Sequence, residues 1–110
     1  MLAYSFRGAS GKRYRYALFS GLKATDLPAE PGMYIVAFGR PSDPAPVYVG
    51  ESQNVRSAFE RSQPWRKARE ISEETLFFLR LDLSAGEADR RAEQADLVAA
   101  YDPPLNAAPA

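Results

Sequence analysis

Apolar and polar positions along this chain fall into short runs separated by turn residues. From Arg13 to Phe19, Arg13, Arg15 and Ala17 alternate with Tyr14, Tyr16 and Leu18. That period of two predicts a strand with one basic and one aromatic face. Gly8-Ala9-Ser10-Gly11 ahead of it is a turn signal and makes Tyr4-Ser5-Phe6-Arg7 its hairpin partner. Residues 20–31 read as a connector, because Gly21, Pro28 and Pro31 break any helix. Two apolar runs, Gly32 to Phe38 and Val47 to Gly50, flank a polar stretch from Gly39 to Pro46. They predict a hairpin with a longer loop. Tyr34 lies two residues after Gly32, and Tyr48 two before Gly50. On antiparallel partners two such rings can share a face and lie close together.

After Gly50 the period changes. Ser52 can cap a helix over about 53–62, with Val55 and Phe59 four apart on its inner side and Arg56 and Arg61 also on it. Pro64 limits that helix. Trp65-Arg66-Lys67-Ala68-Arg69 is the densest basic cluster, suited to phosphate or base contact and equally to an exposed loop anchored by its tryptophan. Thr75 to Leu83 is the most apolar run and reads as a central strand. Ser84 and Glu87 form a capping box for a helix over about 85–101, with Gln94, Leu97, Val98 and Tyr101 on one face and Pro103-Pro104 as its stop. Leu105 is expected to pin the tail, and residues 107–110 to fray.

Composition narrows the chemistry. A chain of 110 residues supports one domain with a modest core. It contains no cysteine and no histidine, which removes disulfides, thiolate sites and the commonest general base. Acid–base work falls to Tyr, Lys, Asp, Glu or water. No apolar run reaches membrane-spanning length and no signal-peptide core opens the chain, so the expectation is a cytoplasmic protein with no membrane partner. Net charge is zero but polarised: residues 1–70 carry 11 Lys/Arg against 6 Asp/Glu, and residues 71–110 carry 3 against 8. A basic half can face phosphate, or the two halves can neutralise each other.

Several of these pieces coincide with a known pattern. Gly32-Met33-Tyr34, Tyr48-Val49-Gly50, the Glu51-Ser52-Gln53-Asn54-Val55-Arg56 step, and Leu97-Val98 before Tyr101-Asp102-Pro103-Pro104-Leu105-Asn106 occur in that order. The chain thereby resembles the GIY-YIG nuclease superfamily over about residues 31–106, leaving 1–30 as an N-terminal strand or hairpin extension with a connector. The resemblance implies an α+β fold, a small three-stranded antiparallel sheet flanked by helices. It implies hydrolysis of DNA phosphodiesters assisted by Mg²⁺ or Mn²⁺. Tyr34 and Tyr48 would stand at the reaction centre, with Gly32, Gly50 and Asn106 structural around them.

Two positions depart from that pattern. The usual catalytic Arg falls on Ala58, and the usual metal-binding Glu falls on Gln94, whose neutral amide is a poor ligand for a hard cation. Arg61, and less well Arg56, are the candidate replacements for the arginine, and Glu93 for the carboxylate. Arg13, Arg15, Arg66, Lys67 and Arg69 are candidate nucleic-acid contacts. The readings left open are an endonuclease, weakened or inactive, with Arg61 and Glu93 standing in and Mg²⁺ or Mn²⁺ as cofactor if it is active and none otherwise; a catalytically dead module that binds nucleic acid or a protein partner; and a chain disarmed by substitution. Specificity would come from the first 30 residues, a partner or a homo-oligomer. Outside the resemblance stands a plain structural or partner-binding α+β domain, in which Tyr34 and Tyr48 are buried core residues.

Overall fold

Alternation between Arg13 and Phe19 produces a strand, and it pairs where the turn signal at Gly8–Gly11 predicts. The structure, a computed structural model, describes residues 2–19, 23–81 and 86–106. Its elements are β1 (Ala3–Arg7), β2 (Arg13–Phe19), β3 (Gly32–Arg40), β4 (Asp43–Ser52), α1 (Val55–Arg61), α2 (Gln63–Ile71), β5 (Leu76–Leu81) and α3 (Glu87–Tyr101). Short 3-10 turns cover Ala24–Asp26 and Pro104–Asn106.

The fold is α+β, but the sheet has five antiparallel strands in the order β1-β2-β5-β3-β4, where the resemblance implies three. The N-terminal hairpin is part of the sheet rather than an appendage. Ala17, Leu18 and Phe19 pair with Leu79, Phe78 and Phe77. Both phenylalanines of β5 are buried, one toward each face, so that strand needs a neighbour on each side. β5 is accordingly the central strand that its apolar run predicts; Asp82 and Leu83 lie outside the described residues.

Between β3 and β4 the loop is much shorter than expected. Only Pro41 and Ser42 turn the chain, and Pro44 and Pro46 belong to β4 itself. Proline is tolerated there because β4 is an edge strand. A register shift between Val36 and Ala37 accommodates it, with Val36 opposite Tyr48 and Ala37 opposite Pro46.

The first helix is capped by Asn54, whose side chain accepts from Ser57 N at 3.1 Å, and not by Ser52. Pro64 starts a second helix instead of closing the first. Ser62 caps it by accepting from Trp65 N at 3.1 Å, and proline fits the first turn, where no N–H is needed. The basic cluster at 66–69 is therefore helical and not a loop. The capping-box residue Ser84 lies outside the described residues. α3 ends where predicted: Asp102 takes a left-handed conformation (φ 45°), its N–H closes on Val98 O at 2.8 Å, and Pro103 follows.

Two cores sandwich the sheet. Phe6, Tyr16, Met33, Ile35, Val49 and Phe78 pack with Leu97 of α3 on one face. Tyr34, Val36, Val47 and Phe77 pack with Leu27, Phe59 of α1 and Ala68 of α2 on the other. Leu105 joins the second core, which pins the tail.

Candidate functional site around Tyr34 and Tyr48

Period two along β3 sends Tyr34 and Val36 to the α1–α2 face, away from Met33 and Ile35. Tyr48, opposite Val36, shares that face. The two rings lie 5.8 Å apart between centroids, tilted by 36°. Tyr34 also stacks on Phe77 at 5.5 Å and 9°, and Phe77 meets the edges of Phe59 and Trp65. Gly50 faces Tyr34 across the ladder, and the ring lies over it: a Cβ there would sit 2.3 Å from Tyr34 Cζ. Gly32 is required for a different reason, since a Cβ would come within 2.6 Å of the Arg80 carbonyl oxygen. Both motif glycines thus permit close approach.

Tyr34 is 6 % exposed, while Tyr48 is half-buried. Burial is the main cause that pushes Tyr34 well above the ordinary phenol range, followed by the charge and hydroxyl of Tyr48 and the charge of Glu51; the Ser62 hydroxyl acts the other way. At neutral pH Tyr34 is thus a phenol and not a phenolate. Tyr16, buried beside Glu93, is pushed up for the same leading reason, and Tyr14 is pushed up to about 12 by burial and its bond to Asp96. A raised phenol pKa means that the folded state holds its proton more tightly than the unfolded chain. The associated stability is full below about pH 10 and is lost as pH rises through about 12. Alkaline titration followed by tyrosine absorbance is expected to show Tyr14, Tyr16 and Tyr34 ionising late and together with unfolding, and Tyr34→Phe to remove one of the late protons.

Beyond Tyr48, the outer edge of β4 is met at Val49 by side chains. Asn106 accepts from Val49 N at 2.7 Å and donates to Val49 O at 2.8 Å, mimicking a sixth strand. Gln94 of α3 donates its amide to the same oxygen at 3.0 Å. Gln94 is therefore held at the peptide joining the two halves of the second motif. It meets a carbonyl there, an acceptor for which an amide is the matched donor and a carboxylate is not.

The other substitutes lie apart. Glu93 projects to the opposite face, where it accepts from the Tyr16 hydroxyl at 2.6 Å and pairs with Arg80 at 3.3 Å. It lines a cleft of about 730 Å³ between α3 and the β1–β2 turn, together with Lys12, Tyr14 and Asp96. Arg56 donates to the Leu27 carbonyl at 2.7 Å and braces the connector. Ala58 packs against the α1–α2 core, and Arg61 is exposed in the last turn of α1. Among the described residues no group of three or more acidic side chains is placed to hold a cation. Around the tyrosine pair stand two phenols, the Gln94 and Asn106 amides and the Glu51 carboxylate, which Arg90 holds; one paired carboxylate among neutral groups is a poor fit to the Mg²⁺ or Mn²⁺ that the resemblance implies.

Sequence reasoning missed Ser62 and the Glu51–Arg90 pair. Arg90 is 3 % exposed and its Nε bonds Glu51 Oε2 at 3.2 Å. Glu51 is the carboxylate whose charge Tyr34 feels. The signal was present in α3: Arg90 lies four residues before Gln94, on the stripe that continues to Leu97 and Tyr101. A charged residue on that stripe calls for a buried partner.

The basic residues gather on the α1–α2 side. Arg66, Lys67 and Arg69 are exposed on α2, with Arg69 5.6 Å over the Trp65 ring. Arg13 and Arg15 share the face of Phe19, which packs into the α1–α2 core. Comparison with protein-family models, curated proteins and solved structures finds no match to this chain. No helix among the described residues is long and apolar enough to cross a membrane.

Proposed function

We propose that this chain is a GIY-YIG-like domain that binds nucleic acid without cleaving it. Gln94 carries the reading. It stands where the resemblance calls for the metal-binding carboxylate, and its amide is committed to Val49 O. Glu93 is no stand-in, since it serves Tyr16 and Arg80 on the other face. Tyr34 keeps its proton and has the character of a hydrogen-bonding group rather than a base. What supports binding is the unbroken tyrosine pair beside two helices that carry Arg56, Arg61, Arg66, Lys67 and Arg69 against Glu60 and Glu70.

The test measures both properties on one preparation. Fluorescent single-stranded and duplex DNA are expected to bind, with affinity falling as salt rises. Supercoiled and branched DNA with Mg²⁺ or Mn²⁺ are expected to remain intact. Ala58→Arg with Gln94→Glu is expected to produce metal-dependent nicking above that background. Robust nicking by the unaltered chain would overturn the inactive half of the reading, and absence of binding at low salt would overturn the other.

A further inference from the structure

Among the described residues, one part of the sheet is covered on a single side. On the α1–α2 side, Ala3, Ser5 and Arg7 of β1 and Arg13 and Arg15 of β2 are all exposed. The same strands bury Phe6 and Tyr16 toward α3. β1, β2 and β5 contain no Asp or Glu, so this bare face carries arginines without acids from its own strands. Arg7 stands directly opposite Arg13, and Ser5 opposite Arg15. Like charges facing each other across a ladder repel and weaken the pair. A chain of zero net charge has no general need to put them there. A bound anion turns that repulsion into attraction.

One register row joins this face to the tyrosine pair, where Tyr34 itself is buried against α1 and α2. Ala3, Ala17, Leu79, Tyr34 and Gly50 are successive partners in one row across all five strands. Beside Arg15 the face dips into a shallow depression of about 300 Å³, lined by Ala3, Ala17, Leu79 and Leu81 as well as Arg15 and Arg80. Leu81 is 43 % exposed there. A duplex presents sugar and phosphate on its outside and has nothing apolar to place in such a hollow. A single strand has an unstacked base.

We propose that this face takes a nucleic-acid single strand, with one phosphate between Arg7 and Arg13, the next at Arg15, and a base over Ala17, Leu79 and Leu81. Arg13 and Arg15 are two residues apart on one side of a strand, about 6.7 Å along it, so they meet separate phosphates. The strand then runs along the row toward Tyr34 and Tyr48. The inference rests on the nucleic-acid reading above and gives residues 1–19 a function in it.

The experiment is fluorescence anisotropy of a labelled mixed-sequence single strand against a salt series. Arg7→Gln/Arg13→Gln/Arg15→Gln is compared with the unaltered chain and with Arg66→Gln/Arg69→Gln. The hairpin variant is expected to melt no lower than the unaltered chain, because repulsion is removed. It is expected to bind at least tenfold more weakly at about 100 mM salt. The slope of log K against log salt should fall by about 1.4, the value for two phosphates. Affinity within twofold of the unaltered chain overturns the inference. Loss of binding in the α2 variant alone also overturns it, and leaves the proposed function standing. Duplex DNA, polyglutamate or anionic vesicles bound as tightly as the single strand would overturn it as well. If the unaltered chain binds no nucleic acid, both readings fall.

Discussion

Replacing Glu93 by Ala is expected to destabilise the protein by about 3–5 kcal/mol, the usual cost of breaking a buried, hydrogen-bonded ion pair. Glu93 is 6 % exposed and accepts a 2.6 Å bond from Tyr16, which has no exposure at all. Removing the carboxylate takes away the acceptor of that hydroxyl, leaving it to whatever water can enter from the cleft that Glu93 lines. Arg80 loses this pairing as well, although its side chain is 32 % exposed and can rehydrate. The loss is large against a total of about 5–15 kcal/mol for a small domain. Urea unfolding of Glu93→Ala beside Glu93→Gln measures it. The amide keeps an acceptor for Tyr16 and loses only charge, so its cost is expected to be about 1–2 kcal/mol. An Ala variant as stable as the parent would show that Glu93 is a spare carboxylate, and would reopen its candidacy as a metal ligand.

Gly50→Ala is expected to cost about 1–3 kcal/mol or somewhat more, the range for overpacking a filled core. The added methyl would overlap the Tyr34 ring, 2.3 Å from Cζ and 2.6 Å from both Cε1 and the hydroxyl oxygen. The ring cannot yield toward Phe77, which stacks on it at 9° and is itself wedged by Phe59 and Trp65. Tyr34 must therefore leave its position beside Tyr48. The cause is steric and not conformational, since Gly50 is absent from the positive-φ glycines, Gly11 and Gly39. A double-mutant cycle separates the two: in a Tyr34→Ala background the Gly50→Ala penalty is expected to shrink by more than about 1 kcal/mol. An additive cycle would show that backbone freedom, not the ring, demands glycine. Nucleic-acid affinity of Gly50→Ala under folding conditions then reports how far binding depends on the tyrosine pair.

Local pattern carried much of this fold. The alternation at Arg13–Phe19, the apolar run that opens β3, and the periodic stripe of α3 with its Pro-Pro stop all became the elements that their periods describe. The pairing of Tyr34 with Tyr48 was also legible, because period two and an antiparallel hairpin put both on one face. Less legible were features that local rules assign wrongly. Two prolines read as loop until the edge position of β4 is known, and Pro64 reads as a stop although Ser62 makes it a start. The choice between Ser52 and Asn54 as cap follows from how far the strand runs: β4 continues through Ser52, so the helix starts at Val55 and Asn54 stands before it.

Residue order sufficed for the strands, the helices, the shared face of the two phenols and the missing charges at positions 58 and 94, because each follows from short-range periodicity or from identity. Packing alone settled that the first hairpin completes a five-stranded sheet, that Glu93 turns to Tyr16 while its neighbour Gln94 reaches Val49, and that Arg7 faces Arg13 over an uncovered surface. The sheet order and the two α3 contacts join residues about 45 to 77 positions apart, a relation that no short window contains; the Arg7–Arg13 pairing is a local hairpin, and only what packs over its face is decided at long range.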